Sequence, residues 1–276
     1  MPGPEPVESS AVVALLEEEW KSLATLGEAL GESEWDLETG CPGWSVKDQF
    51  SHVIGTERML LGESAPPLGD MPSYVQNLIG ELNEPWIAAR RTVPGPRVAG
   101  ELTEVTGRRL AQLRSFPAER FDVIGPSPIG NVPYREFMAV RVMDCWVHEQ
   151  DVRVATGRSG HRDGPVADLA VDRLLSGVPF VVGKKAVPKE GETVVLEVTG
   201  PTPRQVALVV SGGRAVDAGN APGTCSAGLR MDAEPFWRLT CGRVSAEEAL
   251  DEYAVELFGE DLDLAARVLA SMAFMP

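Results

Sequence analysis

The 276-residue chain is poor in the residues that most metal and redox motifs need. Its four cysteines, Cys41, Cys145, Cys225 and Cys241, are far apart, with no CxxC or CxxxC spacing. That excludes a thiolate zinc ribbon and reads as four reduced thiols in a reducing compartment. Long apolar runs are missing too: nothing approaches the ~20 residues of a membrane span. The start, Met1-Pro2-Gly3-Pro4-Glu5-Pro6, lacks the basic end and apolar stretch of a signal peptide, so a cytoplasmic protein is expected. Neither GxGxxG nor GxxxxGK[ST] occurs, which leaves nucleotide binding without support, and the absence of GxSxG removes an α/β-hydrolase serine. Basic residues are outnumbered, 25 against 41 acidic ones, for a formal charge of −16. Phosphate backbones need a basic face, so nucleic acid is not an expected partner, and neither is a membrane.

What is present is 43% apolar and ordered by helical periodicity. Val12, Leu15, Leu16, Trp20, Leu23, Leu26 and Leu30 recur at helix spacing from Ser9 to about Gly31. Gly40-Cys41-Pro42-Gly43-Trp44 is a turn, after which Ser45 with Asp48 three residues on reads as a capped start for a helix from Val46 to about Leu61. Further helices are expected over Tyr74 to Arg91 with Pro85 inside, over Val98 to Ser115 and over Pro133 to Ala155, with no convincing strand among them. After Gly157 the texture changes. Gly164 to Leu175 reads as one more helix, Glu192 to Thr199 and Arg204 to Val210 as strands, and Ser211-Gly212-Gly213-Arg214 as a tight turn into Ala215 to Ala218. Thr224 to Met231 is a candidate strand, and Ala233 to Cys241 and Leu262 to Met272 read as helices. The expected fold is α+β: a bundle of four main helices over residues 1–158, then a smaller α+β domain with an antiparallel sheet over residues 159–276.

The segment Val140 to Asp151 carries the sharpest chemical signal. Asp144 and His148 are four apart and stack on one helical face, with Arg141 and Asp151 on the same stripe. Val140, Met143, Val147 and Val154 border it on one side, and Met138, Cys145 and Val152 on the other. A solvated face is not flanked by apolar residues on both sides, and inward charges are costly unless they pair or bind metal. His52 lies on a second helix at the edge of its apolar face, near Gln49, Thr56 and Met59. His52, Asp144 and His148 are therefore either three N/O ligands of a metal with an open position, or a buried His–Asp pair with an unrelated core histidine.

The neighbouring residues get plainer readings. His148-Glu149 is not the start of HExxH, because position 152 is valine; Glu149 is expected in solvent. Asp151 is an acceptor for a ligand imidazole N–H, or a partner for Arg153 or for a lysine across the bundle. Arg141 is the counter-charge of Asp144 or of a substrate carboxylate. His161 reads as a solvated loop histidine. Arg238 and Arg243, near a helix C-terminus, either hold an anionic ligand or complement the helix dipole.

Two of these segments carry a resemblance. Cys41-Pro42-Gly43-Trp44-Ser45-Val46-Lys47-Asp48 followed by His52 is similar to the PGW segment of mycothiol-dependent maleylpyruvate isomerase-like proteins. Asp144 to Arg153 resembles the second metal-binding segment of that family, and the region from Leu229 through Phe274 is similar to its sterol-carrier-like C-terminal domain. The resemblance implies a DinB-like bundle in which His52, Asp144 and His148 hold a divalent metal, zinc by expectation. Aspartate stands here where the family's isomerase has glutamate. It further implies mycothiol as the thiol cosubstrate and an electrophilic small molecule as substrate, in an S-transferase or maleylpyruvate isomerase-like reaction by a monomer or homodimer. Arg141 or Arg243 would orient a substrate carboxylate. The competing reading is a non-catalytic small-molecule or metal-binding protein using the same bundle.

Overall fold

A computed structural model describes residues 8–219 and 223–275. The segment Met1 to Pro6, read above for a signal sequence, lies outside the described residues. Two compact units divide the chain, the first ending at His161 and the second beginning at Arg162.

The first unit is helical where the periodicity requires it. Helices α1 (Ser9–Glu28), α2 (Val46–Leu60), α4 (Gly95–Ser115) and α5 (Tyr134–Ala155) form the bundle, with α3 (Leu78–Ala88) packed on α2. α1 packs on α4 and α5, and α2 on α4 and α5. Leu16, Trp20 and Leu23 of α1, Phe50 and Ile54 of α2, Leu102 and Val105 of α4, and Met138 and Val142 of α5 are all buried there. Burying one such side chain stabilises by about 1.5–3 kcal/mol, so this stripe outweighs the weak intrinsic preference of short helices. The helix expected from Val98 begins three residues earlier, at Gly95. Pro94 is the N-cap and Pro96 sits in the first turn, where its missing N–H would have had no partner. α3 starts four residues later than expected, because the Asn77 side chain caps it by accepting from the Gly80 N–H at 2.9 Å.

One expectation for this unit fails. A short antiparallel hairpin, β1 (Ile124–Ser127) and β2 (Gly130–Pro133), precedes α5. Its strands are four residues each and rich in glycine and proline, so no alternation marks them.

The second unit is α+β. It opens with α6 (Gly164–Leu175) and the single turn α7 (Val178–Phe180), which continues into a π-helical stretch over Val181–Ala186. Strands β3 (Thr193–Thr199), β4 (Arg204–Ser211), β5 (Arg214–Asp217), β6 (Ala227–Asp232) and β7 (Glu256–Phe258) follow, in sheet order β5-β4-β3-β6-β7. The pairs are antiparallel except β3 with β6, which run parallel. Gly212 and Gly213 make the β4–β5 turn at φ +59° and +70°, the left-handed pair that a two-residue hairpin needs. α8 (Ala233–Thr240) and α10 (Leu262–Ala270) pack against β6. α9 (Ala246–Glu252) went unread, although Ser245 and Glu248 form a capping box at its start.

Candidate metal centre

The capping box places the first histidine. The Ser45 N–H donates to Asp48 Oδ2 at 3.0 Å, and the Asp48 N–H donates to Ser45 Oγ at 3.3 Å, which starts α2 at Val46 and leaves His52 in its second turn. On α5, Asp144 and His148 face it. His52 Nε2 lies 3.0 Å from Asp144 Oδ2, His148 Nε2 lies 3.6 Å from Asp144 Oδ1, and the two imidazole centroids are 4.5 Å apart. Trp44 stacks at a tilt over both rings, with centroids at 5.3 and 5.6 Å. One donor atom from each of His52, Asp144 and His148 falls within 4.8 Å of the other two. The spacing argument is thus met: the two ligand candidates of one helix and the single one of the other converge.

The surroundings orient one histidine. His148 Nδ1 lies 2.5 Å from Gln49 Oε1 and 3.6 Å from Asp151 Oδ2. Gln49 is itself oriented, because its Nε2 donates to Thr39 Oγ1 at 2.6 Å and Thr39 Oγ1 donates to the Trp44 carbonyl at 2.8 Å. The Nδ1 proton of His148 is therefore directed at Gln49, and Nε2 is the ring atom that faces Asp144. Imidazole ligands are held in this way, with the far N–H donating to a fixed acceptor. Asp151 Oδ2, at 3.6 Å, is a charge beside the ring rather than its hydrogen-bond acceptor, and Arg153 pairs with Glu149.

Arg141 is buried and spent on protein partners. Its Nη1 pairs with Asp144 Oδ2, and its Nε and Nη2 donate to Glu57 Oε1 at 3.0 and 2.8 Å. Glu57 Oε2 accepts from Arg109 Nε at 3.1 Å, and Arg109 donates onward to the Tyr134 hydroxyl. The result is a buried alternation of charge, Arg109–Glu57–Arg141–Asp144, ending at the two imidazoles. Glu57 was not singled out in the sequence. Its only signal was a charged residue eight positions after Gln49, on the inward side of α2.

These contacts set the protonation states. Burial pushes the Asp144 carboxyl up, but the Arg141 guanidinium and the imidazoles outweigh it and hold the group well below the ordinary carboxylate range. Burial lowers His52 to about 4, against the pull of Asp144. For His148 burial acts downward as well, but its contacts with Asp144 and Asp151 prevail and raise it. Cys145 is buried, its thiol pushed up chiefly by desolvation, so it stays protonated and unreactive.

The donor set fits a zinc-type ion: two imidazoles and one carboxylate are ordinary ligands for it. A tetrahedral set with bonds of about 2.0–2.1 Å separates its ligand atoms by about 3.3 Å, and the two imidazole Nε2 atoms lie 3.0 and 3.6 Å from the two oxygens of Asp144. His52 Nδ1, on the other side of the ring from Asp144, is buried and has no hydrogen-bond partner among the described residues.

Two readings of nearby residues are corrected. Glu149 is not solvated: it is fully buried, and its Oε1 accepts from Ser22 Oγ at 2.6 Å and from Arg153 Nη2 at 2.6 Å. His161 is no free loop histidine. Its side chain is only 13% exposed, and Nδ1 lies 2.6 Å from Glu149 Oε2. Arg243 belongs to the second unit, where its Nη1 donates to the Cys241 carbonyl at 2.9 Å, just past the end of α8. Arg238 pairs with Glu234 and lies over the Tyr253 ring.

Known proteins share this arrangement of helices. The model of the mycothiol maleylpyruvate isomerase N-terminal domain matches residues 16–153, half of the chain. Two uncharacterised Mycobacterium tuberculosis proteins, MT0763 of strain CDC 1551 / Oshkosh and Rv0738 of strain ATCC 25618 / H37Rv, are each 27% identical over 143 residues. That stretch is 52% of this chain and 64% of theirs, so the chain spans less than two thirds of the curated relatives it matches. The crystal structure of the mycothiol-dependent maleylpyruvate isomerase matches with a TM-score of 0.57 at 16% identity, covering 88% of this chain and 93% of that one. A histidine-to-alanine mutant of that enzyme gives 0.56 at the same identity and coverage. At such identity the structural likeness is one of fold. The domain match rests on the helices that carry His52, Asp144 and His148, and by it the chain belongs to the mycothiol maleylpyruvate isomerase family.

Proposed function

We propose that this chain is a mycothiol-dependent enzyme, an S-transferase or a maleylpyruvate isomerase-like catalyst, in which His52, Asp144 and His148 hold a divalent metal, zinc by preference. The observation that carries the reading is the convergence of three N/O donors from α2 and α5 within 4.8 Å, inside the segment that the family model matches. A zinc-type ion in such a site favours the thiolate form of a bound thiol at neutral pH, which supplies a nucleophile for an electrophilic carbon.

The chain's own residues have defined tasks. Gln49 accepts the Nδ1 proton of His148 and keeps its Nε2 toward Asp144. Arg141 keeps Asp144 ionised and fixes its carboxylate plane through Glu57, so its guanidinium positions a ligand rather than a substrate. Trp44 covers both imidazoles and limits water on that side. His52, with a pKa near 4, is neutral at physiological pH and needs no deprotonation before it binds.

The test is turnover of a panel of electrophiles, maleylpyruvate among them, with and without mycothiol. Turnover is expected only with the thiol, lost on chelation and restored by zinc. Turnover that ignores the chelator would remove the metal from the account, and turnover without any thiol would remove mycothiol.

A further inference from the structure

The structure assigns a second divalent-cation site to the first unit, built from Glu19 of α1, Glu149 of α5 and His161 beyond the end of α5. These residues offer one carboxylate oxygen each from the two glutamates and one imidazole nitrogen, all within 4.8 Å of one another. His161 Nδ1 lies 2.6 Å from Glu149 Oε2 and 3.4 Å from Glu19 Oε2. Carboxylate and imidazole donors at such separations suit zinc or manganese.

Three observations separate this cluster from an ordinary buried ion pair. First, Glu19 is fully buried, yet neither of its carboxylate oxygens has a hydrogen-bond partner. Burial and the Glu149 charge push its carboxyl well above the ordinary carboxylate range, so it holds a proton that a bound cation would replace. Second, the Glu149 oxygens are divided. Oε1 is saturated by Ser22 and Arg153, while Oε2 is turned toward His161 and Glu19. Third, acidic groups predominate. Glu18, Glu19 and Glu149 place three carboxyl groups around His161, and among the described residues Arg153 is the cation bonded to Glu149.

The surroundings also position the third ligand. His161 has φ +53°, a left-handed backbone that is uncommon outside glycine. It is held there by its own carbonyl, which accepts from Trp146 Nε1 at 2.7 Å and Gln150 Nε2 at 3.3 Å. Glu18 Oε1 stands 3.9 Å from His161 Nε2, on the far side of the ring, too far for a hydrogen bond, while Nδ1 faces the two glutamates. Solvent reaches the cluster through a cavity of about 460 Å³ lined by Glu18, Lys21, Ser22, Arg153, Arg158 and His161, among others. The site shares no ligand with His52, Asp144 and His148, so it stands or falls separately from the proposed function.

Zinc titration of chelator-stripped protein, with free metal read by a competing indicator, tests this. Wild type is expected to bind two equivalents, Glu19→Gln one, His52→Ala one, and the combined variant none. Glu19→Gln keeps the size of the side chain and removes its carboxyl group, and a melting curve confirms that it folds. As a check free of any change at the cluster, zinc added to the His52→Ala protein is expected to shift the His161 ring resonances. A single equivalent in wild type that Glu19→Gln leaves intact would overturn the assignment, as would His161 resonances that zinc does not move.

Discussion

His148 Nδ1 and Gln49 Oε1 are 2.5 Å apart, a cross-helix hydrogen bond that settles which imidazole nitrogen is free to act. The same glutamine is tied by Thr39 to the carbonyl of Trp44, so the turn that covers the site also orients its ligand.

Removing that acceptor should weaken metal binding without touching a ligand. Gln49→Leu is expected to lower zinc affinity by about 10–100-fold, the usual cost of losing the group behind a ligand histidine. Gln49→Glu, which keeps an acceptor, should retain most of it. A competition titration against a chelator reads both; equal affinity in Gln49→Leu and wild type would show that the contact does nothing for the ligand.

Glu57 serves two buried guanidiniums, with Arg109 and Arg141 on its two oxygens. Glu57→Gln leaves both cations short of a counter-charge and should destabilise the protein by about 3–5 kcal/mol. Urea unfolding measures this. A loss under about 1 kcal/mol, the range of surface pairs, would mean that the two arginines find other partners.

The two imidazoles should titrate on opposite sides of their ordinary 6.5. His52 is depressed to about 4 by burial, and His148 is raised by Asp144 and Asp151 in spite of burial. For the metal-free protein the signs oppose. His148 contributes stability that is full below 6.5 and is lost as pH rises through its folded value; His52 contributes stability that is full above 6.5 and is lost as pH falls toward about 4. A ligand nitrogen must be unprotonated, so zinc affinity should begin to fall on acidification while pH is still above 6.5, with His148 as the cause. Ring titrations by NMR, with zinc affinity measured across pH, check this. Affinity that stays flat to well below 6.5 would contradict it.

Gly55 lets α3 approach the helix that carries His52. A Cβ there would stand 2.3 Å from Cβ of Trp86 and 2.6 Å from its Cγ, atoms that cannot swing aside. Gly55→Ala gains about 1 kcal/mol of helix propensity but forces an overpacked contact that costs about 1–3 kcal/mol, so a net loss of stability is expected. A higher melting temperature in the variant would show that α3 moves away freely.

The site was legible where it is local. Asp144 and His148 are four apart on one helix, and Ser45 with Asp48 announces the start of the other, so both faces follow from period and capping. What was not legible is held across the chain. Glu149 and His161 read as solvated because their partners, Glu19 and Ser22, come from α1 and nothing in the sequence near residue 149 records them. Glu57 was passed over for the same reason, its arginines lying on α4 and α5. In the second unit the hydrophobic runs marked β3 and β4, but pairing direction is a tertiary choice. The parallel β3–β6 pair replaced part of an expected antiparallel sheet because β6 returns on the free side of β3 after the β4–β5 hairpin.

The central claim is that His52, Asp144 and His148 hold a metal ion. Zinc content after equilibrium loading, compared between wild type and the variants His52→Ala, Asp144→Asn and His148→Ala, tests it most directly. The account predicts that each variant, folded by its melting curve, binds one equivalent less than wild type. Zinc content unchanged in all three would reduce the three residues to a buried polar cluster.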